Sequence, residues 1–92
     1  MRIRYTTEFY KLYKKTDVRI RNEVDRKIKI FQKDHMNKAL NNHPLRHEYA
    51  GFRSIDITND YRVIYEEVES GEESIAYFFM LGTHKELYGK KF

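Results

Sequence analysis

Residues 74–81 read Ser-Ile-Ala-Tyr-Phe-Phe-Met-Leu, and from Ile75 onward the run lacks the alternation of a strand with one wet face. A strand apolar at every position is covered on both faces, so this one is expected inside a sheet rather than at an edge. Two further stretches upstream have strand character. Phe52 to Thr58 precedes an Asn59-Asp60 turn, and Tyr61 to Val68 precedes a turn at Gly71 between acidic residues. Connections this short predict a three-stranded antiparallel meander.

Working outward, residues 2–6 (Arg-Ile-Arg-Tyr-Thr) alternate and predict a first strand. Thr7 can then cap a short helix ending near Lys15, with Phe9, Leu12 and Tyr13 on its apolar face. Thr16 or Asp17 caps a second helix, expected to run to about Met36. Its buried stripe is Ile20, Val24, Ile28, Phe31 and His35, at helical spacing. Arg19, Glu23, Asp25, Lys29 and Lys33 take the other face. In residues 37–51, Asn41, Asn42 and Pro44 oppose helix, and a loop of this length in a small domain is usually functional. Beyond Gly82-Thr83-His84, residues Lys85 to Tyr88 fit one helical turn stopped by Gly89. The expectation is a single α+β domain over residues 1–92, in the order β-α-α-β-β-β. An N-terminal strand and a two-helix hairpin pack on a small antiparallel sheet, and a short helical turn closes the chain.

Composition bounds the function. With 92 residues, 40% apolar and 15% aromatic, the chain suits one globular domain with a thin core. Having no Cys, it has neither disulfides nor thiolate metal sites. His43 and His47 are four apart, but Pro44 between them argues against a helical zinc pair. A phosphate-cradling Gly loop and a Ser-His-Asp pattern are both missing, and neither metal nor cofactor is expected. The opening residues are charged, unlike a signal peptide, and no run approaches the roughly 18 apolar residues of a membrane helix. A cytoplasmic chain without membrane association is expected. Eighteen Lys and Arg against 14 Asp and Glu give +4, which permits a polyanionic partner without requiring one.

The polar residues left over are His43, Arg53, Asp56, Asp60, Arg62, His84, Lys85 and Tyr88, at strand and loop ends of the second half. Cutting RNA without metal needs a base for the 2′-hydroxyl, an acid for the leaving oxygen, and cations for the charged phosphorane. His serves either proton role, and Arg or Lys the third. Each residue also has an ordinary reading. Arg53 and Arg62 suit cross-strand pairing with Glu66 or Asp56, Tyr88 suits packing of the terminal turn, His47 suits a solvated loop, and His35 suits partial burial.

Taken together, three segments carry a resemblance: His43-Pro44-Leu45, the stretch Gly51 to Tyr65 (Gly-Phe-Arg-Ser-Ile-Asp-Ile-Thr-Asn-Asp-Tyr-Arg-Val-Ile-Tyr), and Gly82-Thr83-His84-Lys85-Glu86-Leu87-Tyr88-Gly89. In this order and spacing the chain resembles the RelE/StbE branch of the RelE/ParE toxins and the YafQ-like ribosome-dependent endoribonucleases within it. The first half matches only in layout. The resemblance implies a RelE-like fold and a type II toxin–antitoxin toxin that cuts messenger RNA in the ribosomal A site by 2′-hydroxyl attack. Its implied partners are the ribosome, the messenger and a cognate antitoxin. It places catalytic roles on His43, Asp60, His84 and Tyr88. Beside these, Arg53, Arg62 and Lys85 are expected to hold phosphate.

One position departs. Where YafQ-like toxins have a His in the second strand, this chain has Asp56, a poorer acid or base near neutral pH. Asp56 is expected to orient His43 or His84, and which of these is acid and which base stays open. Two alternatives remain: a ParE-type gyrase inhibitor without nuclease activity, and a decayed, binding-only toxin that still holds its antitoxin. The acidic stretch Glu66 to Glu73 is expected to lie away from RNA.

Overall fold

The computed structural model describes residues 1–88. Five strands form one sheet in the order β1-β5-β4-β3-β2. They are β1 (Arg2–Tyr5), β2 (His43–Pro44), β3 (Phe52–Asp56), β4 (Tyr61–Ser70) and β5 (Glu73–Thr83). Helices α1 (Thr7–Lys15) and α2 (Val18–Lys33) follow β1, and a short α3 (His84–Tyr88) follows β5. The β3–β4–β5 meander is antiparallel, and the apolar run of residues 75–81 lies in β5 between β1 and β4.

The α+β class holds, but the sheet is mixed rather than purely antiparallel. β1 runs parallel to β5, with Arg2 opposite Ile75 and Tyr5 opposite Phe78. A hairpin imposes antiparallel pairing only on strands it joins, and the rest of the chain separates these two. The additional strand β2 sets His43 opposite Ser54 and Pro44 opposite Arg53. Two residues are too few to show alternation, and a Pro is tolerated at a sheet edge because it lacks an N–H.

Local chemistry places the helix ends. Thr6, not Thr7, caps α1, its Oγ1 accepting from the Phe9 N–H at 3.1 Å. Asp17 caps α2, accepting from the Arg19 N–H at 2.7 Å. This helix stops at Lys33, short of Met36, because the Asp34 carboxylate accepts from the Met36 N–H at 3.2 Å and offers the backbone a turn instead. The C-terminal turn starts at His84, one residue earlier than expected, while Gly89 lies outside the described residues.

The helices pack on one face of the sheet. Phe9, Val24, Phe31 and Leu40 meet Ile55, Val63, Tyr65, Ala76, Phe78 and Leu81. Phe31 stands at the centre, with the rings of Tyr65 and Phe78 edge-on at 5.1 and 5.3 Å. Ile20, Ile28 and His35 of the expected stripe are only half-buried, whereas Lys27 is buried. Lys27 Nζ donates to the Ile57 carbonyl at 2.9 Å, which satisfies a charge on an otherwise apolar face. No helix among the described residues is long and apolar enough to cross a membrane.

Side chains alternate along a strand, so Ile55, Val63 and Tyr65 on the helix side leave Phe52, Ser54, Asp56, Arg62 and Ile64 for the opposite face. That second face carries α3 and the 3-10 turn His47–Tyr49, tied together by the Tyr49 hydroxyl donating to the Leu87 carbonyl at 3.1 Å.

Candidate active site

The segment before β2 determines how His43 is presented. Asn37 Oδ1 accepts from the Ala39 N–H at 2.9 Å and opens a 3-10 turn, Lys38–Leu40, pinned by the buried Leu40. Asn41 ends the turn in the left-handed region, at φ 47 and ψ 47, a conformation Asn tolerates better than most residues. The two asparagines then bond to opposite sides of the sheet. Asn42 Nδ2 donates to the His35 carbonyl at 2.8 Å and the Tyr65 hydroxyl at 2.7 Å, and Asn42 Oδ1 accepts from Arg53 Nε at 2.8 Å. Asn41 Nδ2 donates to Asp56 Oδ2 at 3.1 Å, and its carbonyl accepts from His43 Nδ1 at 2.7 Å. A carbonyl can only accept, so Nδ1 carries the proton. In the neutral ring Nε2 is then bare, the form needed in a base.

Asp56 and Arg62 face each other across β3 and β4, with Nε 3.1 Å from Oδ1 and both side chains largely covered. The contact is close but off-line, since buried Oδ1 accepts no well-directed hydrogen bond among the described residues. Arg62 Nη1 donates to the carbonyls of Thr58 at 3.2 Å and Asn59 at 3.1 Å, so this side chain also holds the β3–β4 turn. None of these bonds uses Nη2.

Helix α3 supplies the remaining groups. Thr83 and Glu86 form a capping box, the Thr83 N–H donating to Glu86 Oε1 at 2.8 Å and the Glu86 N–H to Thr83 Oγ1 at 3.1 Å. Gly82 permits this close return: a Cβ there would lie 3.2 Å from Glu86 Oε1. The box fixes His84 and Tyr88 one turn apart, their ring centroids 4.7 Å from each other. The His84 N–H also donates to the Asp60 carbonyl at 3.0 Å. Tyr88 reaches from His84 toward the centre of the face, where Ser54 lies beside its phenol without the alignment of a hydrogen bond. Burial pushes the phenol above its ordinary value of 10.0, against the opposing pull of Ser54 and Arg62.

Five of the eight expected residues therefore gather on the face opposite α1 and α2. His43 comes from the edge strand β2 and His84 from the end of the interior strand β5, with Asp56 and Arg62 on β3 and β4 between them and Tyr88 on α3. Lys85 is exposed on α3. Asp60 is exposed at the β3–β4 turn, where its contribution to the geometry is its backbone carbonyl. Arg53 is separate: it stands opposite Pro44 and Tyr65, and its guanidinium is bonded to Asn42 on the helix side. Sequence reading missed Asn41, buried Ser54 and Tyr49. Of the signals available, only the Thr83-x-x-Glu86 box, which positions two of the eight, is legible as a motif. Among the described residues no group of three or more His, Cys, Asp or Glu side chains is placed to hold a metal ion.

Residues 1–89 match the family model described as the bacterial toxin YafQ of type II toxin–antitoxin systems. The fold is similar to that of YafQ from E. coli, at 22% identity over 97% of this chain and 100% of that one, with a TM-score of 0.77. In the E. coli DinJ–YafQ toxin–antitoxin complex the figures are 22%, 95%, 96% and 0.74. For a YoeB/ParE toxin from Agrobacterium tumefaciens they are 23%, 91%, 99% and 0.72. At such identities the structural likeness speaks for the fold. No curated protein matches the chain in sequence.

Proposed function

The chain belongs to the YafQ family of bacterial type II toxin–antitoxin toxins, and from that premise we propose that it is a metal-independent endoribonuclease acting on messenger RNA in the ribosomal A site. The observation that carries this reading is the hydrogen bond from His43 Nδ1 to the Asn41 carbonyl, which leaves Nε2 bare on the same face of the sheet as an Arg62 held by Asp56. His43 Nε2 takes the proton of the ribose 2′-hydroxyl. The 2′-oxygen attacks the adjacent phosphorus, the bond to the 5′-oxygen breaks, and His84 protonates that oxygen as it leaves. The products are a 2′,3′-cyclic phosphate and a free 5′-hydroxyl. Arg62, through Nη2, and Lys85 stabilise the phosphorane charge. Asp56 keeps Arg62 in place rather than moving a proton, and Tyr88 stacks on a base. Arg53 is left out of this phosphate site because its guanidinium is engaged on the helix side.

A face this small offers little surface for orienting a long RNA, so the ribosome supplies the positioning, which is worth much of the rate. This reading puts the chain to work in the cytoplasm. The E. coli relative is found in complex with the antitoxin DinJ, and we propose that this chain is likewise held inactive by an antitoxin. Asp56, standing where a His is expected, is the feature that favours the binding-only alternative.

Inducible expression without any antitoxin, followed by primer extension on an abundant messenger, tests the proposal. Codon-framed breaks lost in His43→Ala and in His84→Ala are expected. Growth arrest with intact messenger would point to the gyrase-type activity instead, and harmless expression to binding alone.

A further inference from the structure

We propose that Asn41 is a positioning residue that sets His43 and Asp56 together, an inference that rests on the reading of His43 as the base. Its carbonyl accepts from His43 Nδ1 at 2.7 Å while its side-chain amide donates to Asp56 Oδ2 at 3.1 Å. Asp56 in turn faces Arg62 at 3.1 Å. A single residue thus couples the base to the cation through His43–Asn41–Asp56–Arg62.

The residue type follows from two separate demands. The backbone at position 41 is left-handed, at φ 47 and ψ 47, which penalises most side chains. The side chain must also donate to a carboxylate. Gly meets the first demand only and Gln the second only. Asp meets the first, but would set one carboxylate against another. Asn meets both. Its place is fixed from behind, where the Asn41 N–H donates to the Lys38 carbonyl at 3.1 Å and the neighbouring Leu40 is fully buried. The backbone contact fixes the tautomer of His43, and the amide contact fixes the counter-charge of Arg62.

The two contacts are separable by substitution. In the full chain, nitrogen NMR of the His43 ring reports the tautomer without any need for cleavage. Single-turnover cleavage on programmed ribosomes across pH reports the catalytic consequence. The wild type is expected to show the Nδ1–H tautomer. Asn41→Gly, which keeps the left-handed backbone and the carbonyl, should retain that tautomer and its pH midpoint but lose roughly 10-fold in rate. Asn41→Ala should lose the tautomer preference, shift the midpoint and lose roughly 100-fold. If Asn41→Ala does not fold, Asn41→Asp decides: the tautomer should persist with a rate loss at least as large as that of Asn41→Gly. An Nε2–H tautomer in the wild type, or rates within twofold of wild type in Asn41→Gly and Asn41→Asp, overturns the proposal. Failure of the parent reading looks different: His43→Ala would cut at full rate while the wild-type tautomer stayed as expected.

Discussion

Asp56 and Arg62 stand directly opposite each other on neighbouring strands, Oδ1 and Nε 3.1 Å apart, and this pairing accounts for a carboxylate at a position where the family resemblance suggests a His. Each partner has a second attachment, Asp56 to Asn41 and Arg62 to the turn carbonyls of Thr58 and Asn59. With side-chain exposures of 26% and 19%, the pair is screened less than a surface salt bridge. In a double-mutant cycle of Asp56→Ala and Arg62→Ala by urea unfolding, we expect a coupling of about 1 kcal/mol. Arg62→Ala should also slow cleavage by roughly 100-fold or more, the usual scale for losing a preorganised charge stabiliser. Additive stabilities together with an unchanged rate would remove the pair from both roles.

Tyr88 is expected to act through its ring rather than its proton. Burial raises the phenol above 10.0, away from the range useful to an acid near neutral pH. The ring meets His84 at 4.7 Å and Tyr49 at 5.6 Å, both edge-on. Tyr88→Phe should therefore keep its cleavage rate within about threefold, while Tyr88→Leu should lose about 5- to 100-fold, as expected for a lost stacking contact. Equal losses in both variants would assign the proton a role after all. Single-turnover rates on ribosome-bound messenger distinguish the two.

Lys27 supports the same region from the far side of the sheet. Its Nζ donates to the Ile57 carbonyl at 2.9 Å, directly before the turn whose carbonyls hold Arg62. A hydrogen bond from a charged group is worth roughly 1.5–3 kcal/mol, and relief of the buried charge offsets part of its loss. Lys27→Met should thus destabilise by about 1 kcal/mol and lower Tm by about 4–8 °C. A variant more stable than wild type in thermal unfolding would show that the buried charge dominates.

What the sequence revealed and what it hid have separate physical causes. The apolar run of residues 75–81 marked an interior strand because burial on both faces leaves a compositional trace. Short turns exposed the meander. Parallel pairing of β1 left no such trace, since it depends on two ends of the chain meeting. Nor did the two-residue β2, whose pairing nonetheless decides that His43 shares a face with Ser54. Motif order picked out His43, His84 and Tyr88 as candidates, which the fold sets on one face. The placement of Arg53 was not: strand parity, which needs the register, turns it to the helix side. Asn41 escaped because nothing in its surroundings announces a left-handed residue.

Stability should fall on the alkaline side. Burial is the leading cause raising Tyr5, Tyr13, Tyr65 and Tyr88 above 10.0, with the carboxylate of Asp25 adding to the rise at Tyr5 and Tyr13. The fold keeps these protons where the unfolded chain releases them. The stabilisation is therefore complete below about pH 10 and is lost as pH rises through the folded-state values. Tyrosinate absorbance followed with circular dichroism should show a late group among the eight Tyr that ionises together with unfolding. Ionisation of all eight near the ordinary value in a still-folded chain would contradict this.

The most direct test of the central claim uses one messenger in two forms, naked and bound to ribosomes with a codon in the A site, each incubated with the purified full chain and with His43→Ala. The account predicts codon-framed cleavage on ribosomes by the wild type, little on naked RNA, and none by His43→Ala in either form. Ribosome-bound messenger left intact by the wild type, or free RNA cut rapidly at the same sites, would contradict it.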